Sequence, residues 1–129
     1  MKPVSAIRTP SFASYIRIDI ISSMKPIVFL GDSLERLKAF PENARRQAGF
    51  QLDRLQRGLA PDDFKPMGTV GRGVEELRVR DASGAYRIIY IARLKDGVYV
   101  LHAFKKAAQK TSKVDIELAQ TRLSGLSRR

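Results

Sequence analysis

The chain has no cysteine, no tryptophan and a single histidine, and it sets only 13 acidic residues against 24 lysines and arginines. The missing thiols exclude disulfide staples and thiolate catalysis, and one histidine without cysteine leaves too few ligands for a structural zinc site. Long apolar runs are missing too. No window approaches the roughly 18 apolar residues of a membrane-spanning helix. The most apolar N-terminal stretch, YIRIDII, is interrupted by Arg17 and Asp19 and makes no signal-peptide core. These absences suit a protein of the reducing cytoplasm with no membrane span, and no cofactor is expected.

What the chain has in excess is positive charge. Its 129 residues, 43% of them hydrophobic, suit one packed domain. A net charge of +11 is an argument about partners: RNA or DNA first, an acidic protein or anionic surface second. Residues 1–23 differ from the rest, with scattered Ser and Pro and one alternating patch, Ile16, Ile18 and Ile20. Met24 then opens MKPIVFLGDS like a fresh start. The expected organisation is therefore an N-terminal extension over 1–23, disordered, edge-pairing or upstream of the true start, and a domain over 24–129.

Within that domain Ile27 to Leu30 reads as a short strand, and Asp32 with Glu35 as a capping box opening a short helix. After Pro41, Ala44, Ala48, Leu52, Leu55 and Leu59 recur at helical spacing, with Gly58 as a stop signal. Residues 60–73 are rich in Pro and Gly and read as a loop. Val74 to Arg80 alternates, with Leu77 and Val79 on one face and Glu76, Arg78 and Arg80 on the other. Tyr86 to Arg93 and Val98 to Phe104 are β-branched and aromatic, so an antiparallel meander is expected. Ser112 and Asp115 form a second capping box before a helix whose stripe is Ile116, Ala119, Leu123 and Leu126. The predicted class is α+β, with the order β, α, α, β, β, β, α.

The chemistry concentrates at the end of the meander. YVLHAFKKAAQKTSKVD passes from an apolar strand into four lysines, Lys105, Lys106, Lys110 and Lys113. An antiparallel sheet that leaves one face partly solvated presents Arg78 and Arg80 as a basic open face, which Arg87 joins from the next strand. Guanidinium forks match phosphate oxygens and lysines add looser point charges, so Arg78, Arg80, Arg87, Lys105 and Lys106 read as a phosphate grip, or else as ordinary solvated charges. Lys65 and Lys110 are further candidates for RNA contact. His102 has two readings, a proton-transfer group or a satisfied structural histidine. Other motifs fail on spacing: GDS at 31–33 lacks the second glycine of a nucleophile elbow, and GRG at 71–73 lacks the Walker lysine. Asp62 and Asp63 read as turn residues rather than metal ligands.

Four blocks, KAFPENAR, GLAPDDFKPM, GVEELRVRDASGAYRIIYIAR and VYVLHAFKKAAQKTSKVDIELAQTRL, occur in this order over about residues 25–126. Together they resemble the phage-derived HigB-type toxins of the RelE/ParE superfamily. The resemblance implies an antiparallel-rich sheet with two N-terminal helices and a C-terminal helix. It also implies a type II toxin that cleaves mRNA on the ribosome, without metal, by attack of the ribose 2′-hydroxyl on the adjacent phosphorus. Carried over, the arginine of the Tyr-Arg-x-x-Tyr strand falls on Arg87, a basic residue of the preceding strand on Arg78, and the pair after the last strand on Lys105 and Lys106. With His102 added from the reading of the strand, the expected catalytic set is Arg87, Arg78, His102 and Lys106, and Arg80, Lys105, Lys110 and Lys65 are expected to hold RNA. Glu76 falls where RelE has a lysine, and no tyrosine opens the last helix. The implied partners are the ribosome, mRNA and a HigA-like helix-turn-helix antitoxin, with operator DNA reached only through the antitoxin complex. Two other readings share the charge: a ParE-like gyrase inhibitor and a non-catalytic nucleic-acid-binding module.

Overall fold

The computed structural model describes residues 24–127; the expectations for 1–23 lie outside the described residues. The chain runs β1 (Ile27–Phe29), α1 (Ser33–Lys38), α2 (Glu42–Gln56), β2 (Phe64–Pro66), β3 (Val74–Asp81), β4 (Gly84–Ile91), β5 (Val98–Lys105) and α3 (Lys113–Ser127). The five strands lie in the order β1-β5-β4-β3-β2. Only the β1–β5 pair is parallel; the others are antiparallel. The class is α+β, as the sequence predicts, with one correction: the stretch 60–73 carries the edge strand β2. That strand is three residues long, ends at Pro66 and pairs with β3 through Lys65 opposite Glu76. A proline supplies no ladder donor, so a strand containing one belongs at an edge.

The meander's alternation decides which helix covers which face. Leu77, Val79, Tyr86, Ile88, Tyr90, Val98 and Val100 point to one side, where they meet Leu37, Phe40, Ala44, Ala48, Leu52 and Leu55 of the first two helices and their connection. Val74, Ile89, Ile91, Tyr99 and Leu101 point to the other, against Ala119, Ile116, Leu123 and Leu126 of α3. The stripe of α2 therefore packs as its spacing predicts, except at Leu59. Helix α2 has ended by then, Gly58 turns the backbone at φ +80°, and Leu59 is exposed. Helix α3 lies on the same side of the sheet as Arg78 but packs chiefly on β5, so that face is covered in part, with Arg78 partly exposed and Arg80 exposed.

Two details aim side chains at the site. The β4–β5 register slips between Ile89 and Tyr90, which pair with His102 and Val100, so Leu101 is an extra residue in β5. Such a bulge re-aims the side chains beyond it. Here Leu101, His102 and Phe104 all come to lie on the α3 side. The Leu101 carbonyl accepts a hydrogen bond from Arg122 Nη1 of α3 at 2.8 Å. The other end of that guanidinium, Nη2, reaches Asp32 Oδ1 at 2.6 Å, while Arg36 Nε donates to Asp32 Oδ2 at 2.9 Å. Asp32 is thus taken up by two cations and makes no side-chain cap to α1, contrary to the capping-box expectation; charged donors outcompete helix amides for a carboxylate. Arg122 and then Arg36 hold the Asp32 carboxyl down to about 2. A depressed carboxyl lends its stability above the usual carboxylate range and loses it as pH falls toward 2, so the tie from α3 to α1 opens only in strong acid.

Candidate nucleic-acid interface and active site

Across the β3–β4 ladder Arg78 stands directly opposite Arg87. Like charges in that relation repel, so the pair calls for compensation. Two carboxylates supply it: Glu76 Oε1 lies 3.5 Å from Arg87 Nε, and Asp63 Oδ1 lies 3.7 Å from Arg78 Nη1. Arg87 is 5% exposed and Glu76 1% exposed, which makes them a buried ion pair. Burial pushes the Arg87 guanidinium down from its ordinary value, the nearby Arg78 and Arg80 charges add to this, and Glu76 opposes it. Arg87 Nη1 also donates to its neighbour's carbonyl, Tyr86 O, at 3.2 Å. Arg78 Nε is buried and has no acceptor, a donor left for something not supplied by the fold. Arg80, one strand repeat further toward the β3–β4 turn, is exposed.

The two lysines after β5 part company. Lys105 pairs with Tyr86, and its Nζ stands 6.0 Å above the Tyr86 ring, on the face of the sheet covered by α1 and α2. The Lys106 amide donates to the Ala85 carbonyl at 2.8 Å and continues the ladder by one residue. Strand alternation then gives Lys106 the Arg80 and Arg87 side. The cluster assembled on one face is thus Arg78, Arg80, Arg87 and Lys106, and Lys105 belongs to the opposite rim. Lys65 and Lys110 come together with Thr111 in the lining of a groove of about 380 Å³.

His102 lies inside the fold, fully buried and stacked on Phe104 at 5.0 Å. Its Nε2 is 2.7 Å from Asp115 Oδ1. Ser112 caps α3: the Asp115 amide donates to Ser112 Oγ at 3.1 Å, and Ser112 Oγ donates to Asp115 Oδ2 at 2.7 Å. The second capping box therefore forms as its spacing predicts and ties α3 to β5 through the histidine. Burial, chiefly, lowers the His102 pKa; Asp115 opposes this, and Arg36 and Arg122 add to it. The ring is neutral in the fold, so its contribution is complete above the ordinary histidine value of about 6.5 and is lost as pH falls below it. The expected result is a thermal midpoint that drops on acidification from pH 7 to 5. In His102→Gln, whose amide still reaches Asp115, that drop should shrink; an unchanged pH dependence would assign it to other groups.

Sequence reasoning overlooked two members of the site. Thr111 Oγ1 donates to Glu76 Oε2 at 2.6 Å, across 35 positions of sequence. Glu76 itself reads in the sequence as a polar residue on an exposed strand face. The signal that marks it is a carboxylate alternating with arginines in E-L-R-V-R, a strand face that carries both signs. Among the described residues no three His, Asp or Glu side chains converge as metal ligands do, and no helix is long and apolar enough to cross a membrane.

The fold and this face define an α+β domain with an arginine-rich sheet surface beside a C-terminal helix. The family model for "Phage derived protein Gp49-like" matches residues 35–124, and the chain belongs to that family. No curated protein matches it in sequence. Among solved structures, the free state of a double arginine-to-alanine mutant of the E. coli toxin RelE superposes with a TM-score of 0.55 at 16% identity, covering 80% of this chain and 98% of that one. The chain therefore has the RelE fold, as its sequence blocks imply.

Proposed function

We propose that this chain is the toxin of a type II toxin-antitoxin pair, an endoribonuclease that cuts mRNA in the ribosomal A site of the cytoplasm. The observation that carries the reading is the buried Glu76–Arg87 pair with Arg78 opposite Arg87, which puts an anionic proton acceptor beside a guanidinium suited to a phosphate. The Thr111 hydroxyl, 2.6 Å from Glu76 Oε2, stands where a ribose 2′-hydroxyl is to be deprotonated. When RNA displaces it, the 2′-hydroxyl proton passes to Glu76 and the 2′-oxygen bonds to the adjacent phosphorus. The bond from phosphorus to the 5′-oxygen breaks, and the departing oxygen takes its proton from water or from the Lys106 ammonium. The products are a 2′,3′-cyclic phosphate and a 5′-hydroxyl. Arg87 and Arg78 balance the extra negative charge of the transition state, the kind of preorganised term that dominates many enzymes. His102 serves as a positioning residue that fixes the start of α3, and with it Thr111.

A free enzyme of this kind stops translation, so a HigA-like helix-turn-helix antitoxin is the proposed partner, the only member of the pair that reads operator DNA directly. Its acidic residues meet part of the +11 surface, which favours fast, salt-sensitive association. Induced expression followed by primer extension on a model mRNA tests the reading. Discrete cuts that disappear on co-expression of a neighbouring antitoxin gene support it, and intact mRNA at full growth arrest contradicts it. Within this scheme the two lysines separate. Lys106→Ala should weaken ribosome-bound mRNA contact and flatten the slope of log affinity against log salt by about 0.7, the share of one single-strand phosphate. Lys105→Ala, on the other rim, should leave cleavage of a bound message nearly intact. Equal losses in both variants would mean that the message wraps the end of β5.

A further inference from the structure

The groove lined by Lys65 and Lys110 is built onto the site. Lys65 is the ladder partner of Glu76 across β2 and β3, so it shares the Glu76 face. Lys110 immediately precedes Thr111, whose hydroxyl is bound to the same carboxylate. Pro66, Met67 and Ile116 give the groove an apolar lining beside the two lysines, and Thr111, bound to Glu76, lines it as well. From Arg78 to Glu76 is two residues along one strand, about 7 Å, the order of a single nucleotide's reach. A second cavity, beside Phe40 and Lys105, lies toward the opposite rim, and its Arg36 is already bound to Asp32.

We infer that the Lys65–Lys110 groove is a nucleotide subsite for the residue next to the cleaved phosphate, with its base on the Pro66, Met67 and Ile116 wall and its phosphate at the two ammonium groups. The inference rests on the RNA-cleaving reading for its biological ligand, while its physical content is local. An apolar wall gains from any base face, and two lysines satisfy a phosphate without fixing its orientation. The Met67 thioether adapts its shape to purine or pyrimidine, so the subsite holds the strand in register rather than reading its sequence. Filling the groove also pushes on the turn that carries Thr111, which couples occupancy by RNA to release of Glu76.

The test is amide chemical-shift mapping on the full chain, with a trinucleotide RNA made uncleavable by one 2′-deoxyribose at the scissile position. Shifts at residues 67–69 and 111 together with shifts at Arg78 and Arg87 are expected. Shifts at Arg78 and Arg87 alone overturn the subsite and leave the cleavage reading standing. Shifts confined to the groove support the subsite and remove the arginine face from RNA binding. No shift in either place overturns both. Adenosine 5′-monophosphate and ribose 5-phosphate then separate base from phosphate: the nucleotide should bind the groove at least tenfold more tightly, and equal affinities would reduce the groove to an anion site. In Lys65→Gln with Lys110→Gln, the first half-buried and the second exposed, nucleotide affinity should fall tenfold or more with the fold unchanged; unaltered affinity overturns the inference.

Discussion

Arg87→Ala should lower mRNA cleavage by about 10²-fold or more, the usual scale for losing one preorganised donor to a developing anion. Growth inhibition should disappear with it. The substitution removes the cation buried at 5% exposure against Glu76 and leaves that carboxylate without its guanidinium. Breaking a buried pair from one side is costly to stability, so the loss of activity has to be read on soluble protein with an intact cooperative unfolding transition. Arg87→Lys adds a control. It keeps the charge but not the fork, so it should recover stability before it recovers rate. A soluble, folded Arg87→Ala protein with full toxicity would take Arg87 out of the reaction.

Glu76→Gln should be at least as damaging, with a different signature. The amide keeps the shape and still accepts a hydrogen bond from Thr111, but it takes no proton from a 2′-hydroxyl. Loss of a general base costs about 10²- to 10⁴-fold. If Glu76 acted only by holding Arg87, adding Glu76→Gln to Arg87→Ala would cost nothing further, whereas a base of its own makes the double variant slower than either single one. The double variant therefore decides between the two roles, whatever the size of the single losses. His102 offers the contrast: buried and bound to Asp115, it should influence the rate through the position of Thr111 and not through a titration of its own.

The parts of this molecule legible in the sequence are those set by local periodicity. The stripes of α2 and α3 and the alternation of β3 required only that apolar residues recur at the right interval, and Ala44, Ala48, Leu52, Leu77 and Val79 are buried accordingly. Ser112 and Asp115 cap α3 because both partners lie within one turn. What escaped depends on contacts distant in sequence or on a break of the period. Strand β2 is too short to show alternation, and its place follows from pairing with β3. The bulge at Leu101 shifts the phase of β5, and simple alternation carries no sign of it. Asp32 looked like a cap until Arg122, 90 residues away, claimed it. Within the site, Arg78 and Arg87 stood out as basic strand residues, whereas Glu76 owes its importance to Arg87 on the next strand and Thr111 at the start of α3.

Cleavage of ribosome-bound mRNA by the purified chain, with chemical analysis of both new ends, tests the central claim most directly. In a reconstituted translation reaction the account predicts discrete A-site cuts bearing a 2′,3′-cyclic phosphate and a 5′-hydroxyl, and no cut at a site carrying a single 2′-deoxyribose. Intact message at every protein concentration, accompanied by inhibition of gyrase supercoiling or by salt-sensitive binding alone, would contradict it.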